Sequence, residues 1–194
     1  SGTGSGLRAS ANLTVKVPDG KTFALKLGVG EVNATGVNAD MLLDTSASPV
    51  TAEGIRGALR IDVGSGEVHV RNVEGELNID TGSGSVTMQN VKVMKLHVDT
   101  GSGRVTGAEI SAQDIDIDTG SGGIDIVSVE TKRARFDTGS GGVELGLLSD
   151  VEDISIDTGS GRVQIGIPES LGAEVSVETG SGGVDINVPH ESYR

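Results

Sequence analysis

The chain of 194 residues contains no cysteine. Disulfides, thiolate metal sites and cysteine nucleophiles are therefore all excluded. Aromatic residues are nearly absent: there is no tryptophan, Tyr193 is the one tyrosine, and Phe23 and Phe136 are the only phenylalanines. Any core must be built from Val, Ile, Leu and Ala. Bases are scarce as well, with 15 Lys and Arg against 28 Asp and Glu and a net charge of −13. That balance argues against nucleic acid and against electrostatic docking on anionic lipid, both of which need a surplus of Lys and Arg. No apolar run approaches the ~20 residues of a membrane-spanning helix, so these residues are not expected to insert in a bilayer. No secretory signal is visible, and a start at Ser1 without Met reads as an excised or processed piece.

Glycine is abundant, at 31 residues, while proline stands at 4. Tight turns between regular segments explain that pair, since apolar residues recur periodically where a disordered chain would lack them. The recurring unit is Asp-Thr-Gly-Ser-Gly. It begins at Asp80 (with Gly82 and Gly84), Asp99 (Gly101, Gly103), Asp118 (Gly120, Gly122), Asp137 (Gly139, Gly141) and Asp157 (Gly159, Gly161). Relaxed copies start at Asp62 and Glu178, a degenerate one at Asp44, and an echo at Lys26. Successive spacings are 18, 18, 18, 19, 19, 19, 20 and 21 residues.

Short alternating runs flank each turn, such as Leu77-Asn78-Ile79 before and Val86-Thr87-Met88 after. A third apolar residue follows after a short gap, as at Val73, Val91, Ile110 and Val129. Alternation places one set inward and the other outward. A single unit cannot bury its apolar face, but a stack can. The sequence therefore predicts an all-β, single-stranded parallel β-helix of about nine coils of 18–21 residues, roughly 40 Å long. The drift in coil length and the lack of hexads favour a right-handed helix. Residues 1–22 break the repeat and read as an amino-terminal cap, with Leu13–Val17 as an extra strand and a turn at Pro18-Asp19-Gly20. The repeat domain spans 23–188, and a short tail 189–194 follows. So little capping implies either that sequence continues beyond Arg194 in the full protein or that the stack's ends associate end to end between molecules.

Each residue type in the turn has a structural task. The Asp is expected to form an Asx-turn. The first glycine is expected to supply φ > 0, and the second close approach of stacked chains. Hydroxyls satisfy leftover backbone groups. Three sharper readings compete. An aspartic protease shares the Asp-Thr-Gly-Ser signature, but it needs two carboxylates about 3 Å apart in a cleft, not a ladder. A calcium-binding structural repeat would use a column of carboxylates, with incidental binding at Asp116, Asp118 or Asp125. An ice-binding ladder would expose Thr81, Thr100, Thr119, Thr138, Thr158 and Thr179. His69, His97 and His190 read as solvated surface, and Lys132-Arg133-Ala134-Arg135 as a loop and strand start that balances acidity. No catalytic, cofactor or metal residues emerge.

The segments Asp80–Val86, Asp99–Val105, Asp118–Ile124, Asp137–Val143 and Asp157–Val163 resemble a bacterial family of domains of unknown function described as candidate adhesins. The resemblance covers roughly residues 23–188. It implies a β-helix-like solenoid, a location at the cell surface, in the periplasm or outside the cell, and a protein or glycan partner in the envelope. It brings no catalytic residues. The expected function is a non-enzymatic binding or scaffold domain. The rival is a polysaccharide lyase or hydrolase, against which the lean coils argue, since such enzymes build a cleft from long loops.

Overall fold

Every strand pairing in the computed structural model, which describes residues 13–168 and 174–187, is parallel. Each strand lies on its counterpart one repeat away, so the repeat spacing is the pairing register. The chain forms a β-solenoid of about eight coils, bounded by the nine turns counted above. An antiparallel sandwich is thereby ruled out.

The strands are β1 (Thr22–Leu27), β2 (Val32–Thr35), β3 (Asp40–Thr45), β4 (Val50–Val63), β5 (Val68–Thr81), β6 (Val86–Thr100), β7 (Val105–Thr119), β8 (Ile124–Thr138), β9 (Val143–Leu147), β10 (Asp153–Thr158), β11 (Val163–Gly166), β12 (Glu174–Thr179) and β13 (Val184–Asn187). The long strands β4 to β8 each run from one turn to the next. Like residues stack in columns. One core column is Leu25, Leu43, Ile61, Ile79, Val98, Ile117, Phe136, Ile156 and Val177. A second runs Val50, Val68, Val86, Val105, Ile124, Val143, Val163 and Val184. β-Branched side chains suit this packing because their restricted χ1 fits the pleated surface. The third apolar column, from Ile55 through Val73, Val91, Ile110 and Val129, closes the core and is almost wholly buried.

The short gap before that third column is a corner in the left-handed conformation. Gly36, Gly54, Asn72, Asn90, Glu109 and Ser128 hold φ of 63°, 67°, 54°, 51°, 58° and 59°. Glycine and asparagine tolerate this conformation best. Asn90 Nδ2 also donates to Asn72 Oδ1 at 2.6 Å, which ties two corners together. The growth of the coil from 18 to 19 residues has a local cause. Gly75 pairs with Val93 and Glu76 with Lys95, so Met94 is extra. Gln113 and Lys132 occupy the same place in the next coils. An insertion at an exposed corner lengthens the coil without disturbing the core.

The run Leu13–Val17 is not a strand; Leu13 and Val15 are exposed. The turn at Pro18–Gly20 is present, with Gly20 at φ 67° and its N–H donated to Asn38 O at 2.8 Å. Residues 1–12 of the expected cap, and the tail 189–194 with His190, lie outside the described residues. The segment Lys132–Arg135 falls within β8 rather than in a loop.

Candidate functional site

The repeated turn is the most conspicuous chemistry in the chain, and its geometry can be followed residue by residue. Alternation carries through from the preceding strand: the Asp points out, the Thr points in, the Ser stands at the exposed apex and the last Gly is buried. Thr81, Thr100, Thr119, Thr138 and Thr158 are at most 1% exposed. The ice-binding reading is thereby overturned, because it requires these hydroxyls on the surface.

Thr100, Thr119, Thr138 and Thr158 each serve two backbone groups. Gly122 N–H donates to Thr119 Oγ1 at 2.9 Å, and Thr119 Oγ1 donates to Gly103 O in the coil below at 3.3 Å. The pattern recurs at Thr100, Thr138 and Thr158, with Gly103, Gly141 and Gly161 N–H donated to them at 2.9, 3.0 and 2.9 Å. The turn's side-chain acceptor is thus the threonine, not the aspartate expected to form an Asx-turn. Strand parity explains the difference: the Asp is the last outward residue, so its carboxylate is directed away from the turn amides.

The glycines also act differently from expectation. None of those in the five Asp-Thr-Gly-Ser-Gly turns has positive φ. Both are required by the stack. A Cβ on Gly82 would lie 2.6 Å from Gly64 O. A Cβ on Gly84 would fall well inside contact of Gly66 O and 2.9 Å from Thr81 Oγ1. The degenerate first copy carries a defect in this column. Ser48 is fully buried there, and its Oγ has no partner among the described residues. Ser48→Ala keeps the Cβ and deletes the orphan hydroxyl. Stabilisation by about 1 kcal/mol is expected in urea denaturation; a loss of that size would mean the hydroxyl has a partner.

Outside the turn, carboxylates stack directly on one another. Asp44, Asp62, Asp80, Asp99, Asp118, Asp137, Asp157 and Glu178 form one column, with Lys26 at its start. Lys26 Nζ meets Asp44 Oδ2 at 2.7 Å, and Arg135 meets Asp137 at 3.0 Å. Asp62, Asp80, Asp99, Asp118 and Asp157 form no salt bridge among the described residues. Neighbouring columns compensate with opposite charges across coils, Arg133 to Asp114 at 2.7 Å and Arg56 to Glu74 at 3.3 Å, and His97 Nδ1 lies 3.2 Å from Asp116. The basic run therefore balances acidity. His69 lies 3.4 Å from Glu67 and is exposed, whereas His97 is half-buried.

Asp118 records the repulsion. Partial burial first, then Asp137 and Asp99, raise its pKa above the ordinary aspartate value, and Arg135 opposes the shift. A carboxyl whose folded pKa exceeds its unfolded one binds its proton more tightly when folded. Its contribution to stability thus grows as pH falls through the folded value toward 3.8, and is lost as pH rises through that window. Asp118→Asn is expected to stabilise the protein at pH 7 by a few tenths of a kcal/mol to about 1, given solvent screening, and less in 1 M salt. Denaturation at pH 4.5 and 7.5 tests this: equal destabilisation by Asp118→Asn at both would contradict it.

The three candidate calcium ligands are not brought together. Asp116 and Asp118 lie on β7 before the turn, whereas Asp125 opens β8 beyond it. Among the described residues no group of three His, Asp or Glu is placed to hold a metal. Nor are two carboxylates set apart in a cleft, as an aspartic protease requires. Among the described residues the surface carries two open notches. One, of about 180 Å³, is lined by Arg104, Gly123, Asp125, Gly142, Glu144 and Arg162. The other, of about 220 Å³, lies over Gly107 and Ala108. Both fall short of the ~300 Å³ at which small-molecule sites begin.

These features define a lean parallel β-solenoid whose repeated motif is spent on stacking. The chain belongs to the Toastrack DUF4097 family, which it matches over residues 3–194, a family of domains without an assigned activity. No curated protein matches the chain, and no solved structure does. The family match bears out the expected solenoid of unknown function and names neither a ligand nor a reaction.

Proposed function

We propose that this domain is a non-enzymatic binding scaffold of the bacterial cell envelope, adhesin-like, that contacts glycan or protein through the face following the turn. The observation that carries the reading is the regularity of that face. Asn33, Thr51, His69, Thr87, Thr106, Asp125, Glu144, Gln164 and Asp185 stack one per coil as a flat polar column. A ligand with its own repeat meets many equivalent weak contacts on such a face, and weak contacts in series give avidity. A location at the cell surface, in the periplasm or outside the cell fits this role.

The test is retention of the purified protein on peptidoglycan, surface polysaccharide and membrane vesicles, with and without Ca²⁺. Retention on one fraction, lost in a Thr87→Arg, Thr106→Arg variant that still folds, is the expected result. Failure to bind any fraction would overturn the reading. A strict Ca²⁺ requirement that survives the double substitution would move the contact to the carboxylate column.

A further inference from the structure

The two ends of the rod are chemically opposite. Residues 13–30 carry Lys16, Lys21 and Lys26 against Asp19. Residues 174–187 carry Glu174, Glu178 and Asp185 and no base. A locally basic end in a chain of net charge −13 goes against the overall composition. Each end also presents unused strand edges. Among the described residues β1 pairs with β3 alone, β12 with β10 alone and β13 with β11 alone. Among the described residues, core columns that are closed inside the stack are open at these ends. Ile154 and Ile156 are at most 1% exposed, whereas Val175 and Val177 above them are half-buried, and Val184 and Ile186 are 42% and 49% exposed. Phe23, Leu25 and Leu27 are half-buried at the opposite end.

We propose that the domain assembles head to tail with further copies of itself, β12 of one copy pairing in parallel with β1 of the next in the register that runs through the coils. Following the columns, Val175 meets Phe23, Val177 meets Leu25 and Glu178 meets Lys26. The one base in the carboxylate column thus lies where the next copy's last carboxylate arrives. A two-fold contact would set like end against like end, basic on basic or acidic on acidic, so the complementary contact is the heterologous one. A heterologous contact along a rod axis does not close, and it yields linear assemblies.

The turn column supplies a sharper test. Within the chain, Gly180 N–H donates to Thr158 O at 3.1 Å, and a Cβ on Gly180 would lie 2.5 Å from Gly159 O. Gly28 occupies the same column in the first described coil, and nothing stands within 4 Å of its Cβ position. In the assembly the carbonyl of Gly180 from the preceding copy fills that space. Gly28→Ala therefore leaves the single chain intact and obstructs the contact. Glu178→Lys acts likewise: it relieves repulsion from Asp157 within the chain and sets Lys against Lys26 between chains.

The experiment is sedimentation velocity on the full chain from micromolar to millimolar concentration in low salt, with urea denaturation of each variant alongside. Linear oligomers that lengthen with concentration are expected. Gly28→Ala and Glu178→Lys should each weaken association at least about tenfold with no loss of folding stability. Lys26→Glu combined with Glu178→Lys should recover most of the affinity, because the pair is restored with its signs exchanged. A wild-type chain that stays monomeric throughout, as it would if another part of the chain covered an end, overturns the proposal. So does a dimer that stops at two, or assembly indifferent to both single substitutions.

Discussion

Replacing Gly122 with alanine is expected to cost about 3 kcal/mol or more, although the change adds one methyl group. The new Cβ would fall well inside contact of the Gly103 carbonyl and 2.7 Å from Thr119 Oγ1. Neither is the far end of a flexible side chain that can swing aside. To admit the methyl, two coils must separate at the turn, and the hydrogen bonds of Thr119 on either side would lengthen with them. Overpacking of this kind typically costs 1–3 kcal/mol before such losses are counted. Ser121→Ala, at the exposed apex of the same turn, should change stability by less than about 0.5 kcal/mol. Urea denaturation of the two variants decides the matter. A Gly122→Ala protein as stable as wild type would mean the coils are not in van der Waals contact at this point.

The second large effect is expected at Thr119→Val. The side chains are nearly the same shape, so the packing survives. What is lost is a hydroxyl that is 0% exposed and stands between Gly122 N–H and Gly103 O. Both backbone groups are left without that partner in a place water does not reach. Each unsatisfied buried group costs about 1–3 kcal/mol, so a total near 2–4 kcal/mol is expected. Asp118→Asn, one residue away, should move stability in the opposite direction. That contrast separates a structural turn from a catalytic one. In a protease the aspartate would be indispensable to activity and the neighbouring glycines would matter through it. In this fold the threonine and glycines hold the stack, and the aspartate costs stability. A Thr119→Val protein within 0.5 kcal/mol of wild type, measured in the same urea series, would contradict this account of the turn.

The coil and its register were legible because two periodicities coincide. Alternation of apolar residues marks each strand, as at Leu96-His97-Val98, and the spacing of the turns marks each coil. Together they predict which residues meet; Ile79, Val98 and Ile117 stack as that spacing requires. The reasons for individual residues were harder to read. A glycine needed for positive φ and one needed for close approach look alike in sequence. The turn glycines prove to be of the second kind, while the first kind sits at the corner before the third apolar column. Gly36, Gly54, Asn72 and Asn90 mark that corner at a spacing of 18 and could have been recognised, but Glu109 and Ser128 continue it with residues that carry no such signal. Which of Asp and Thr supports the turn depends on strand parity carried past the strand's end. Parity points Thr inward at every copy, so the information was present in the alternation. The proposed binding face is the least legible part. Thr87 and Thr106 are ordinary polar residues, and their significance lies only in being stacked.

Because the chain has no cysteine, a cysteine pair can be introduced and spin-labelled at the turn apices without background. Ser65, Ser121, Ser140 and Ser160 are all exposed and lie in copies of one turn, Ser121, Ser140 and Ser160 being three, four and five coils from Ser65. Stacked coils advance about 4.8 Å each. Label pairs Ser65→Cys with Ser121→Cys, Ser140→Cys and Ser160→Cys should therefore give distances rising in equal steps, near 14, 19 and roughly 24 Å. Distances that fail to rise monotonically, or that alternate between short and long, would mean the turns do not stack along one edge, and the solenoid account of this repeat would be wrong.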